Sequence, residues 1–424
     1  MKKITLLFTC FFYFSLLAHT QGLKLDSKAY GAASEWVAPK DKGFSSTNLP
    51  SRISYRQYCP SPNQQGNVST CVGWAAAYGA LSTQQNIQMG ITAYMHKWAR
   101  AFDPHFIYSF IKSDNDQWCK EGTSLASAMR VLENYGCKPR VWEPWLECDD
   151  KKAFSEFTIA LASIYKIEDW YSVSSDNIVE NTKVALSYKL PVVIGIYLTE
   201  SFMKGTSLTY GHYSPQPGDK YIGGHAMCVV GYDDIKFGGA FEVMNSYGDT
   251  YGDNGFVWIS YKDFAATVGE AYVMKTTKYK TEACSFGDCK NTYSRYKFEN
   301  GDVYEGIIEN SLLDVYGSYL YIDGSFYVGG FDKGRKNGYG LMYDMKTQKF
   351  YNTNYNNDVL VDYTIKTFGY AQSEAGKKMQ INISKISSEL PDKAITDFDS
   401  TQKALDRFEA PDKPIRISET NAKK

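Results

Sequence analysis

Four side chains of this sequence have the types and spacing for attack on an acyl carbon. Cys71 opens the run "CVGWAAAYGAL", six positions after Gln65 in "NQQGNVSTC". A thiol is a useful nucleophile only as its thiolate, and the unpaired amides and dipole of a helix N-terminus favour that form. His225 opens "HAMCVVGYDD", where a rigid strand would carry its ring as a general base requires. Asn245 ends "AFEVMN" before a glycine-rich turn, and an Asn there can accept from the imidazole N–H and fix its tautomer. The Gln65 amide and the Cys71 backbone N–H would then face the charge that develops on a carbonyl oxygen. Each residue alone has a plainer reading. Cys71 could be a disulfide half or a buried thiol, His225 a structural ring, Asn245 a turn former and Gln65 a solvated loop residue.

The surrounding elements must hold these groups in place. Residues 71 to 86 carry Ala, Leu and Tyr at helical spacing, with Ser69 or Thr70 placed to cap. "SLASAMRVLENYG" reads as a second helix that buries Ala126, Met129, Val131 and Leu132 and stops at Gly136. "LPVVIGIYL", "HAMCVVGYDD", "AFEVMNSYG" and "GFVWIS" read as strands, apolar and β-branched and ended by Gly, Asp or Asn. Helices precede strands over residues 49–277, which makes α+β the natural class.

Composition bounds compartment and partners. At 424 residues the chain is long enough for two domains. A net charge of -1 with 22% charged residues gives no electrostatic reason to expect nucleic acid or an anionic membrane. The first residues, "MKKITLLFTCFFYFSLLAHTQG", combine two lysines, an apolar run and small polar residues, and read as a secretory signal peptide cut after Thr20. An uncleaved anchor is the alternative, but the run of about fifteen residues falls short of the roughly twenty that a span needs. Cys10 leaves with this segment, so eight of the nine cysteines remain: Cys59, Cys71, Cys119, Cys137, Cys148, Cys228, Cys284 and Cys289. They face an oxidising compartment, secreted or periplasmic, where disulfides are the default, and their pairing is not deducible from spacing.

Beyond Cys289 the texture changes. Two segments superpose with a period of 23, setting Gly301 on Gly324, Tyr304 on Tyr327, Gly306 on Gly329 and Gly317 on Gly340. A fixed period is an architectural signal. "QKFYNTNYNNDVLVDY" reads as a third copy without the glycines. The unit resembles MORN repeats (membrane occupation and recognition nexus), β-hairpins with Tyr-x-Gly and a later Gly-x-Gly. The organisation is then 1–20 signal peptide, 21–48 short N-terminal segment, 49–277 catalytic domain, 278–292 Cys-containing linker, 293–365 hairpin repeats and 372–424 polar tail.

Taken in order, Gln65-Gly66, Cys71 with its helix, Gly224-His225-Ala226 leading to Val230-Gly231-Tyr232, and Asn245-Ser246-Tyr247-Gly248 followed by Asn254-Gly255 resemble the papain-like cysteine peptidases. The likeness covers about residues 49 to 277. It implies a two-lobed α+β domain, with a helical left lobe and a β-barrel-like right lobe, followed by the small all-β module. It makes Cys71 the nucleophile, His225 the base and later acid, Asn245 the orienting residue and Gln65 the oxyanion donor. Gly122 and Tyr247 become candidate substrate contacts. The partner it implies is a polypeptide substrate, with no cofactor and no metal; the repeats are left to bind protein or lipid.

Three departures stand out. Val72-Gly73 separate the nucleophile from Trp74, Tyr247 stands where Trp is usual, and no cysteine lies between Asn67 and Thr70. Only about 28 residues lie between Thr20 and Leu49, too few for a full inhibitory pro-segment, so control is expected from the compartment, the repeats or the tail. An acyl transferase or amidase would use the same triad, and an inert fold acting through its repeats is the rival of another class.

Overall fold

The computed structural model describes residues 22–39, 48–141, 148, 151–205, 208–277, 283–366 and Ile417. The expected signal peptide, the stretch 142–147 and, apart from Ile417, the tail lie outside the described residues. No helix among the described residues is long and apolar enough to cross a membrane.

A continuous helix begins at Cys71, winds as π-helix over Trp74–Leu81 and returns to α over Ser82–Met89. Every residue from Cys71 to Ile87 is buried, so this is a central helix rather than an amphipathic one. Thr70 takes the N-cap position without a side-chain hydrogen bond, its hydroxyl buried and unpartnered, and Ser69 Oγ donates to Lys120 O at 2.8 Å. The second expected helix spans Leu125–Asn134 and is capped by Ser124, which accepts from the Ser127 amide. It ends two residues before Gly136, whose φ of +74° needs glycine.

Among the described residues of 49–277 there are nine strands: β1 Arg52–Ser54, β2 Ile167–Ser172, β3 Val192–Thr199, β4 Leu208–Thr209, β5 His212–Tyr213, β6 Tyr221–Asp233, β7 Ala240–Met244, β8 Phe256–Ser260 and β9 Val268–Thr276. They form one sheet in the order β2-β9-β3-β6-β7-β8-β5-β4, with β1 paired to β6. The sequence expectation of a barrel-like lobe is corrected here: the sheet is open. Its terminal strands β2 and β4 do not pair, and the two-residue β4 and β5 are too short to carry a ladder round to the other edge. β6 is buried from Gly224 to Tyr232 because it is covered on both faces, which is why it reads as a near-continuous apolar run. Val193, Ala226, Cys228 and Val230 face the central helix, and Val192, Ile194, Met227 and Val229 pack with Leu186, Phe202 and Phe264 behind the sheet.

Eight further strands form a second, wholly antiparallel sheet in simple chain order: β10 Cys284–Phe286, β11 Tyr293–Lys297, β12 Val303–Glu309, β13 Leu312–Leu320, β14 Phe326–Asp332, β15 Arg335–Asp344, β16 Lys349–Asn356 and β17 Val359–Lys366. The stretch read as a linker thus supplies the first strand, closed on its turn by a Cys284–Cys289 disulfide. The 23-residue period is a packing unit. Gly306 pairs with Gly317 across β12 and β13, and Gly329 with Gly340 across β14 and β15. A Cβ on Gly306 or Gly317 would sit 2.4 Å from Tyr304 Oη, and one on Gly329 or Gly340 would meet the Tyr327 ring equally closely. Each tyrosine lies across two strands where no side chain can stand. The third hairpin, β16–β17, has no glycine pair.

This sheet is part of the same core as the helical lobe. Leu320, Phe326, Val328 and Phe350 belong to one apolar cluster with Ala75 and Phe102. Trp98 stacks on Phe326 at 5.8 Å and tilts over Phe350 at 5.0 Å. Below them lies a buried charge node, with Glu305 only 2% exposed. It pairs with Arg100 and, at 3.6 Å, with Arg295, and accepts from Tyr165 Oη at 2.8 Å. Removing one partner of such a node leaves a buried charge uncompensated. Glu305→Ala is therefore expected to lower the unfolding free energy by about 3–5 kcal/mol in a denaturant titration. Lobe and sheet, sharing one core, should lose structure in a single transition.

Candidate functional site

Three elements bring the site residues together. The first turn of the central helix carries Cys71, β6 carries His225, and the end of β7 carries Asn245. β6 and β7 pair through Cys228↔Met244, and this register sets His225 beside Asn245. The His225 Nε2 to Asn245 Oδ1 distance is 2.7 Å. The Asn245 amide itself is fixed, since its Oδ1 also accepts from Ser246 N at 2.8 Å and its backbone N–H donates to Gly255 O. Tyr247 stacks on the imidazole at 4.7 Å between centroids and meets Tyr251 edge-on. At 4% exposure it lies beneath the ring rather than at a binding surface, and it shields the His–Asn pair from water on that side.

Gln65 is buried as well, at 4% exposure. Its Oε1 accepts from Ser246 Oγ at 2.6 Å, and its Nε2 donates to Val68 O at 2.8 Å. The Gln65 backbone N–H donates to Ser246 O. An amide group carries two hydrogens, so one remains for a ligand once Ser246 has fixed the flip. Ser246, whose hydroxyl holds the Gln65 amide, was passed over by sequence reasoning; its only signal is that it follows Asn245.

The Cys71 thiol is fully buried. Burial pushes it up to about 12, against the opposing pull of the Ala226, Gly22 and Val72 backbone amides. The low thiol pKa expected at a helix N-terminus is therefore not the state described: desolvation outweighs the helix dipole. The cause is the N-terminal segment. Gly22 lies against the sulfur, and a Cβ on it would be 2.7 Å from Cys71 Sγ and 2.6 Å from Ser69 O. Leu23 N donates to Gly224 O at 3.3 Å, Lys24 N to Thr123 O at 2.8 Å, and Thr123 N to Gly22 O at 2.9 Å. Leu23 thus bridges the cleft as an added strand, parallel to Thr123 on one wall and antiparallel to Gly224 on the other. Gly122, singled out from sequence, does face an extended backbone: a Cβ there would lie 3.2 Å from Gly22 C. Beside this segment a cavity of about 410 Å³ continues the cleft, lined by Lys24, Asp26, Ile111, Lys112, Glu121 and Gly122 among others.

The left wall is held by its own bonds. Asp116 Oδ1 accepts from Lys120 N, and its Oδ2 accepts from Glu121 N and Tyr108 Oη. Ser69 N donates to Cys119 O at 2.6 Å, and Cys119 is bridged to Cys148. The remaining cysteines Cys59, Cys137 and Cys228 are free and buried. Burial raises the Cys228 thiol well above its ordinary value, so it stays protonated and unreactive. No group of three or more His, Cys, Asp or Glu placed to hold a metal is present among the described residues.

Residues 107–297 match the family model described as papain family cysteine protease. That span includes His225 and Asn245, while Cys71 and Gln65 lie ahead of it. A peptidase C1-like protein of Acanthamoeba polyphaga mimivirus is 25% identical over 210 residues, 47% of this chain. The chain spans 63% of the length of that curated relative. Among solved structures, xylellain, a cysteine protease from Xylella fastidiosa, matches with 21% identity and a TM-score of 0.49, over 61% of this chain and 96% of its own. Digestive procathepsin L 3 of Tenebrio molitor larval midgut matches with 18% identity and a TM-score of 0.45, over 61% and 77%.

The Cys119–Cys148 bridge closes a loop with a sequence separation of 29 and anchors the wall that pairs with Leu23. Cys119→Ser/Cys148→Ser is expected to reduce stability by about 3–4 kcal/mol. Reductant titration of a Cys284→Ser/Cys289→Ser background, followed by thermal melting, should reproduce the same loss.

Proposed function

We propose that this chain is a papain-like thiol peptidase that hydrolyses peptide bonds through Cys71, His225, Asn245 and Gln65, in the secreted or periplasmic setting expected from its N-terminal residues. The observation that carries the reading is the 2.7 Å His225–Asn245 hydrogen bond, on a strand whose next residue, Ala226, offers its amide to the Cys71 sulfur. A nucleophile, a base and the residue that orients the base are thereby held on three rigid elements around one point.

In this reading Cys71 Sγ attacks the scissile carbonyl as its proton passes to His225. Asn245 holds the imidazole in the tautomer that can receive it and supports the imidazolium that forms. The oxyanion is met by the Cys71 backbone N–H and by the remaining Gln65 Nε2 hydrogen. His225 then returns the proton to the leaving amine, the amine departs, and a thioester remains on Cys71. Water, deprotonated by His225, attacks the thioester, and the carboxylic acid and free thiol are regenerated. The C–N bond breaks once, the C–S bond forms and breaks, and no external oxidant or reductant is needed. The hairpins, read as MORN-like from their Tyr and Gly pattern, stand outside this chemistry; a protein or lipid partner for their surface belongs to the same proposal.

The test is intact mass after incubation with an epoxysuccinyl thiol-peptidase inhibitor, beside Cys71→Ala. One adduct on the native protein and none on the variant supports the reading, and no adduct on either, with the cleft shown to be open, defeats it. For turnover of a peptide ester, Gln65→Ala is expected to reduce kcat about 10²–10³-fold. Ser246→Ala, which removes one neutral hydrogen bond of about 1 kcal/mol, should reduce kcat about fivefold with KM unchanged. Equal effects of both variants on KM alone would assign Gln65 to ground-state binding instead.

A further inference from the structure

The two faces of the second sheet have different neighbours. One belongs to the core shared with the lobe, through Leu320, Phe326, Val328, Leu341 and Phe350. Strand alternation turns the residues between these the other way, so Tyr304, Tyr319, Tyr327, Met342, Tyr351 and Tyr355 point away from the lobe and form a cluster of their own. Among the described residues this cluster is drawn from the sheet, its turns and one residue far beyond them in the chain, Ile417.

A sheet face turned away from the core should meet water, and this one does not. Tyr304 and Tyr327 sink over their paired glycines, but Tyr351 stands opposite Met342 with no such seat and is only 1% exposed, while Tyr355 on the same strand is 2% exposed. Lys336 lies among them, its Nζ 4.9 Å from the Tyr355 ring centre and 5.8 Å from that of Tyr327, and is buried too. By contrast Tyr339 of β15, on the other face and not reached by the lobe, is 81% exposed. That is how an uncovered tyrosine of this sheet looks. Rings and an ammonium on an open face stay wet unless something lies over them.

Ile417 identifies the cover. It is 4% exposed within the tyrosine cluster, and its N–H donates to Ser311 O at 2.9 Å, at the turn between β12 and β13. β17, the edge strand, runs away from that end of the sheet and pairs its last residue, Lys366, with Phe350. To bring Ile417 back to the β12–β13 turn the chain has to recross about 30 Å of sheet, and one of the two faces is already filled by the lobe. The sequence ahead of Ile417 suits the other face. In "STQKALDRFEAPDKPIRI", Ser400 is placed to cap, Ala404, Leu405 and Phe408 share one helical face, Asp406 and Glu409 stand off it, and Pro411 ends the pattern. Ile415 and Ile417 then alternate with Arg416 as an extended chain requires.

We propose that residues 401–417 of this chain are the partner of the tyrosine face: an amphipathic helix lays Leu405 and Phe408 across Tyr327, Tyr351 and Tyr355, and the extended end beyond it is pinned by Ile417 at the β12–β13 turn. The surface of the hairpins is then a groove that receives a helix, and the chain fills it itself. A second protein or a lipid surface reaches these tyrosines only by displacing that segment. The inference concerns the sheet and the tail alone and stands apart from the peptidase reading.

The test uses the full-length protein and reads both sides of the contact. In hydrogen exchange, peptides from 401–417 are expected to exchange slower than a free chain by roughly tenfold or more, and to lose that protection in Leu405→Asp/Phe408→Asp. Tyrosine nitration by tetranitromethane, mapped by peptide, should be faster at Tyr351 and Tyr355 in that variant, again by roughly tenfold or more. Tyr210 and Tyr339, exposed, should react in both proteins, and Tyr213 and Tyr272, buried in the lobe, in neither, which reports that the fold is kept. Free-chain exchange of 401–417 in the native protein overturns the proposal. Protection that survives both substitutions, or a released tail without faster nitration of Tyr351 and Tyr355, overturns it as well, since either result seats the segment elsewhere. Protection that fades on dilution assigns the groove to the tail of a second copy and overturns the contact within one chain.

Discussion

The site depends on burying one helix on every side. From Cys71 to Ile87 nothing is left for solvent, so even the polar residues of its second half must find partners inside. Gln84 Nε2 donates to Met274 O, Asn86 Nδ2 donates to Tyr58 O, and Ser82 Oγ bonds Ala77 O while accepting from Phe102 N. These bonds tie the helix to β9, to the chain before Cys71 and to the neighbouring helical layer at once. Gly79 lets the Cys228 side chain of β6 approach, since a Cβ there would be 2.8 Å from Cys228 Cβ. The helix that carries Cys71 and the strand that carries His225 are therefore in direct contact. Because the whole helix is locked, its first turn is locked, and the relation of Cys71 to His225 is a property of the core rather than of a loop.

The same dependence explains what could be read beforehand. Chemistry-bearing residues on regular elements were legible: Cys71 at a helix start, His225 on a strand covered on both faces, Asn245 at a strand end before a turn. Strand and helix periodicity placed them, and the family likeness ordered them. Groups that act through a third residue were not legible. Ser246 bonds Gln65 across a separation of 181 residues, which no local pattern carries. The N-terminal segment across the cleft was equally silent, although Gly22-Leu23-Lys24-Leu25 alternates in the way an extended strand in a groove requires. Its meaning lies in what it touches, and those partners, Thr123 and Gly224, are far along the chain. The disulfides stayed open for the same reason, and the barrel expectation failed because strand length, not strand pattern, decides closure.

The second sheet adds a lesson about modules. Its repeat was visible from the spacing of Tyr and Gly, and the packing of Tyr304 and Tyr327 over paired glycines gives that spacing a cause. Its attachment was not visible. Trp98, Arg100 and Tyr165 read as ordinary lobe residues until Phe326, Phe350 and Glu305 are set against them. A boundary drawn where the texture of the sequence changes cuts through a continuous core.

That attachment limits how the repeat can vary. Each hairpin adds two strands, so one repeat lengthens the sheet by about 9.5 Å, and a free array of such units could gain or lose copies with little penalty. Here the contacts to the lobe come from successive strands, Tyr293 on β11, Glu305 on β12, Phe326 on β14 and Phe350 on β16. Inserting one copy between them would carry Phe326 and Phe350 a full step away from Trp98 while Glu305 stayed on Arg100. The number of hairpins is thus gauged against the lobe they cover, and the sheet behaves as a fitted part cut to length rather than an extensible ribbon.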